Sequence, residues 1–107
     1  MSFWEAASRL YPGRSQRAKK IAELGGEARV SAVDKTCFPP AVVGTVAYVD
    51  EKGRHEYVVF AGPEGVYCSC PDASIRNAVC KHLIFFLGKL VEQGVLPEPV
   101  AITLITR

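Results

Sequence analysis

Three of the four cysteines and one of the two histidines fall within fifteen residues, as Cys68-Ser69-Cys70-Pro71 followed after a short interval by Cys80-Lys81-His82. Residues i and i+2 of an extended strand point to the same face, so Cys68 and Cys70 present two sulfurs to one point, and Pro71 then turns the chain. Two residues i and i+2 inside a helix lie about 200° apart, so Cys80 and His82 can share a ligand only if Cys80 sits at or just before a helix start. The unpaired amides and positive dipole there favour a thiolate, the form that binds metal. Three thiolates and an imidazole suit one Zn²⁺ ion, held tetrahedrally by Cys68, Cys70, Cys80 and His82. A catalytic zinc keeps one position for water, so a complete Cys₃His shell predicts a structural metal and no enzyme. Such an ion contributes on the order of 10–16 kcal/mol to folding, comparable to the ~5–15 kcal/mol net stability of a domain. Disulfides or plain burial are the competing reading: four cysteines allow three pairings, but a bridge between Cys68 and Cys70 would be strained, and ligand type and spacing together favour zinc.

The elements that must position this cluster follow from the patterning. Residues 2–5, Ser-Phe-Trp-Glu, have the spacing of a capping box, and Phe3, Ala7 and Leu10 follow at helical intervals, predicting a helix over about 3–10. After Tyr11-Pro12-Gly13, Ser15 is the expected cap of a second helix whose apolar residues Ala18, Ile21, Ala22 and Leu24 run to Gly25-Gly26. The period then shortens towards 2. Residues 28–34 read as an edge strand, 42–49 and 55–61 as a hairpin joined by Asp-Glu-Lys-Gly, and 66–70 as the third strand of an antiparallel meander. Residues 71–79 read as a loop. A helix from Lys81 to about Gln93 ends at Gly94, and 100–106 is expected to be a final strand. On the long helix, Leu83, Leu87, Leu90 and Val91 form a core stripe. Phe85 and Phe86 fall off it; core packing is the expected answer, and exposure of both would mark a partner or dimer surface.

The Cys-x-Cys and Cys-x-His pairs, preceded by the Val/Tyr-rich stretch Glu56-Tyr57-Val58-Val59-Phe60 and followed by an apolar helix, resemble the SWIM-type zinc finger. Cys-Ser-Cys-Pro-Asp and Cys-Lys-His-Leu-Ile are forms such fingers commonly show. The resemblance covers about residues 55–93 and implies a ββα zinc module that binds DNA or protein. One subgroup, small SWIM partners of RecA-like recombinase paralogues, has Ala three residues after the His, where this chain has Phe85. The resulting expectation is one α+β domain: a basic helical N-terminus (1–26), an antiparallel sheet (28–61), a SWIM-like finger (55–93) and a C-terminal strand (94–107).

Charge locates a second candidate site. The chain of 107 residues has a formal charge of only +2, too slight to demand a nucleic-acid partner. It is polarised, however: residues 1–30 carry six basic and three acidic residues, a local +3, and residues 31–107 carry seven and eight, or −1. Arg9, Arg14, Arg17, Lys19 and Lys20 follow one another without an acid, interleaved with Trp4 and Tyr11, an arrangement able to neutralise phosphates and stack bases. The competing reading is a solvated helix face. Arg14, Arg17 and Lys20, supplemented by Arg76 and Lys81, are the expected contacts to DNA, and a protein adaptor partnering a recombination or repair protein is the alternative. Cys37 reads as a small buried thiol and His55 as an exposed imidazole. The longest clear apolar run, 83–87, is far short of a membrane span, and no secretory signal is visible, so a cytoplasmic protein with no small-molecule substrate is expected.

Overall fold

The backbone of Ser2 is extended, and its hydroxyl accepts a hydrogen bond from the Glu5 amide at 3.1 Å, starting helix α1 (Phe3–Leu10) as the capping pattern predicts. The computed structural model describes residues 1–71 and 79–106. Replacing Ser2 by Ala leaves that amide without a protein acceptor, and a loss of about 1 kcal/mol is expected from the urea unfolding midpoint. Helix α2 (Pro12–Glu23) begins earlier than the expected Ser15 cap. Proline is favoured in a first helical turn because its missing N–H would have had no partner there. Ser15 is instead buried inside the helix, with its hydroxyl 3.2 Å from that of Ser8.

Four strands follow, β1 (Glu27–Asp34), β2 (Ala41–Asp50), β3 (Gly53–Gly62) and β4 (Gly65–Cys68), in the antiparallel order β1-β2-β3-β4. Alternation sorts the sheet into two faces. Val42, Val46 and Tyr48 of β2 and Val59 and Ala61 of β3 are buried, while Val49, Val58 and Tyr67 are exposed on the other face. Gly44 marks the tightest approach: a Cβ there would lie 2.0 Å from the Arg29 carbonyl oxygen on β1 and 2.7 Å from the Phe86 ring. Only glycine lets strand, neighbouring strand and helix meet at that point.

Helix α3 (Lys81–Glu92) packs against the sheet and against α1 and α2, with the C-terminal helix on a further side. Leu83, Leu87 and Leu90 are buried as expected, and Val91 is partly so. Phe85 and Phe86 are fully buried too, which removes them as a partner surface. A helix enclosed on several sides is apolar around most of its circumference, and the sequence 83–87 shows that. The expected strand at 100–106 is instead helix α4 (Glu98–Thr106). Its β-branched residues suggested a strand, but Ala101, Leu104 and Ile105 are the buried ones, at helical spacing. Pro99 falls in its first turn, where proline is tolerated. The outermost helices are clasped together: the Phe3 amide donates to Glu98 Oε1 at 2.5 Å and the Tyr11 hydroxyl to the Ile105 carbonyl at 3.0 Å. Among the described residues no helix is long and apolar enough to cross a membrane.

Candidate metal centre

Strand β4 ends on Cys68, and the ladder with β3 continues one residue further. The Ser69 amide donates to the Val58 carbonyl, and the Val58 amide donates to the Ser69 hydroxyl, both at 2.9 Å. That clamp holds the chain extended, so Cys68 and Cys70 are buried on one side while Ser69 is exposed on the other. Cys80 is the residue before α3, with extended backbone at φ −96° and ψ 171°, and its carbonyl accepts the Ile84 amide at 3.1 Å. His82 is thus one residue into the helix and clear of the opposition that a helical Cys80 would impose.

The three sulfurs and one ring nitrogen all lie within 4.8 Å of one another, and all four residues are buried. Cys68 Sγ and Cys80 Sγ each stand 3.8 Å from His82 Nδ1. Ligands about 2.3 Å from a tetrahedral metal are separated by about 3.7 Å, so the donor set has both the chemistry and the spacing of a zinc shell. No disulfide involves any of the four. Residues 57–89 match the family model of the SWIM zinc finger. No curated protein and no solved structure matches the chain. The SWIM finger makes this segment a metal-binding module, and Cys68, Cys70, Cys80 and His82 fit one structural zinc ion.

The SWIM finger draws its support from the hairpin β2–β3. Tyr48 and Tyr57 lie on the inner face of the sheet, in phase with Val46 and Val59. The Tyr57 ring packs on His82 at 4.3 Å between centroids, and the Tyr48 hydroxyl is 3.1 Å from His82 Nε2. With Nδ1 holding the metal, Nε2 would carry the proton and donate it to the Tyr48 oxygen, which would fix tautomer and ring orientation together. Burial pushes the Tyr48 phenol up to about 12. It therefore stays neutral across the physiological range. Burial also raises the Tyr57 phenol. Sequence reasoning missed both tyrosines, although the alternation that places Val42 and Val46 inside places Tyr48 there as well, and a buried phenol calls for a partner. Tyr48→Phe should keep the fold and weaken zinc binding roughly 10–100-fold, read by competition with a chromophoric chelator.

The thiols are tuned against one another. A hydrogen bond from Cys68 holds Cys80 well below the ordinary thiol range against the opposing effect of burial, and His82 and the Leu83 amide at the start of α3 add to the lowering. That same bond and burial move Cys68 upward. Cys80 is therefore the readier thiolate, as its place at a helix N-terminus leads one to expect.

Two further residues differ from expectation. His55 is not a free surface imidazole: Nε2 is 2.9 Å from Asp50 Oδ1, and its ring stacks on Tyr48 at 4.9 Å. The hydrogen bond to His55 holds the Asp50 carboxyl below its usual range, opposed by burial and aided by the Lys52 amide. A depressed carboxylate stabilises the fold above its unfolded value of ~4 and loses that contribution as pH falls through its folded value. Asp50→Asn should accordingly lower the Tm at neutral pH, with the difference closing below pH ~4 in a thermal melt series. Cys37 is half-buried rather than enclosed, with its thiol 3.8 Å from the Asp34 carbonyl, because it lies in the connection after the edge strand.

Of the expected phosphate contacts, Arg17 and Lys20 on α2 and Lys81 at the start of α3 line one cavity of about 350 Å³, with Ile21, Leu24, Tyr48, Asp50 and Glu51 as its other walls. Arg14 is not among them; its guanidinium lies 6.0 Å from the Tyr11 ring centroid. Arg76 lies outside the described residues, as does most of the expected loop 71–79.

Proposed function

We propose that the chain is a non-catalytic, zinc-stabilised module that binds nucleic acid through its phosphates, with DNA as the natural ligand. The observation that supports this reading most is the cavity at Tyr48. It gathers Arg17 and Lys20 of α2 with the sequence-distant Lys81 of α3, beside a tyrosine that also serves the metal site. Lys81 adds its charge where the positive end of the α3 dipole already favours an anion. Asp50, also in the lining, is already engaged by His55 and the Lys52 amide. The partition of charge in the sequence points the same way.

A salt titration tests it. Each phosphate contact removed lowers the slope of log K against log salt by roughly 0.7–0.9, so the variant R17A/K20A/K81A should lose ~2–3 units on single- or double-stranded DNA. Arg14→Ala should leave the slope close to that of the parent. An unchanged slope in the triple variant removes the proposal.

A protein adaptor without affinity for DNA is the second reading. Burial of Phe85 and Phe86 removes them as its contact surface, but Val49, Val58 and Tyr67 are exposed apolar residues on the outer sheet face. The V58D/Y67D variant would abolish partner capture on that reading and leave DNA binding intact on the first.

A further inference from the structure

A second cavity, of about 300 Å³, lies on the other flank of α2, between that helix, α1 and α3. Its walls are Trp4, Lys19, Ala22, Phe85, Lys89 and Glu92. The Trp4 ring is seated on the backbone of α3, where a Cβ on Gly88 would come within 2.6 Å of it. That glycine makes a flat berth for the indole. The Lys19 ammonium is 5.9 Å from the Trp4 ring centroid and that of Lys89 is 5.9 Å from the Phe85 ring, while Glu92 pairs with Lys89 at 3.5 Å. With Phe85 fully buried beneath, the accessible floor is Trp4 and Ala22, and the rim carries Lys19 and Lys89 with Glu92 paired to the latter.

We propose that this cavity seats one unpaired base of a single strand, so that the chain prefers single-stranded to double-stranded nucleic acid. The inference rests on the phosphate-binding reading above and names the form of nucleic acid that it would take. Charge complementarity selects the occupant. Arg17 and Lys20, which line the first cavity, and Lys19, which lines the second, are all exposed on α2, and the helix has no acid before Glu23. A strand carries one phosphate per nucleotide, so it can meet these cations in succession while lodging a base beside Trp4. Base-on-aromatic contacts are sequence-tolerant, since every base offers a π-face, and a base held in a duplex cannot enter. A peptide with an aromatic side chain and flanking carboxylates is the competing occupant, and it would bring fewer charges to the same ridge.

Trp4 is the chain's single tryptophan, so its emission reports this cavity alone. The zinc-loaded chain is titrated with oligodeoxythymidylate, with an abasic oligomer of equal phosphate number, and with a duplex. Thymidylate should bind roughly 5–100-fold more tightly than the abasic strand and should quench the tryptophan, which the abasic strand and the duplex leave unchanged. Ala22 is exposed at the cavity wall, and Ala22→Leu keeps a good helix former while filling the space. That variant should bind both oligomers with the affinity the parent shows for the abasic strand. Equal binding of the two oligomers by the parent, or quenching that survives Ala22→Leu, overturns the base seat and leaves the phosphate reading standing. Failure of every strand to bind overturns both, and quenching by an aromatic acidic peptide in place of thymidylate overturns the base seat alone.

Discussion

Removing the metal with a strong chelator, or replacing Cys80 by Ser, should unfold more than the finger: the helical signal of α3 and the cooperative thermal transition should be lost together. The argument is energetic and topological. A structural zinc contributes on the order of 10–16 kcal/mol, and whole domains of this kind are stable by only ~5–15 kcal/mol. The four ligands also join the end of β4 to the first turn of α3, and α3 is the element against which the sheet and the other helices pack. Elemental analysis should give one zinc per chain. Circular dichroism before and after chelation should show the collapse, reversed by adding zinc. A spectrum and melting temperature indifferent to chelation would contradict this assignment.

The second large effect is expected at Phe86. Its ring is fully buried, and it lies where Gly44 lets β2 come close. Truncation to Ala removes most of that side chain and leaves a cavity that the tightly apposed backbones cannot close. A loss of about 3–5 kcal/mol follows, which for a domain of this size lowers the Tm by at least about 12 °C in a calorimetric scan with zinc present. Val58→Ala on the exposed sheet face should change it little. The contrast separates loss of core from loss of metal, since the Phe86 variant still has all four ligands and should still bind one ion when folded.

The cluster that fits a zinc ion was legible because metal coordination constrains a few residues locally: the i, i+2 pairs and the helix-start position of Cys80 follow from strand and helix geometry alone. The sheet was legible for a similar reason, since alternation and turn residues act over short spans, and the structure moves its strand ends by only a residue or two around the expected ranges, β1 included. Residues 98–106 were not. Val100, Ile102, Thr103, Ile105 and Thr106 favour strand by local preference, and what decides for helix is burial of Ala101, Leu104 and Ile105 together with the hold of Glu98 on the Phe3 amide, a contact from the far end of the chain. Ser15 was misjudged because a good capping residue is also small enough to be buried between helices. The inward tyrosines were readable in register but not in purpose, because nothing in the order of residues shows Tyr48 opposite His82.

The clasp between α1 and α4 has a consequence for how the molecule comes apart. Helices at the two extremities of a chain ordinarily fray independently, each at its own small free energy. Here the loosening of either takes from the other a hydrogen-bond partner, the carboxylate of Glu98 or the phenol of Tyr11. Deuterium uptake by the amides of the first and last helices should rise in step, as a single cooperative unit opened from both sides at once.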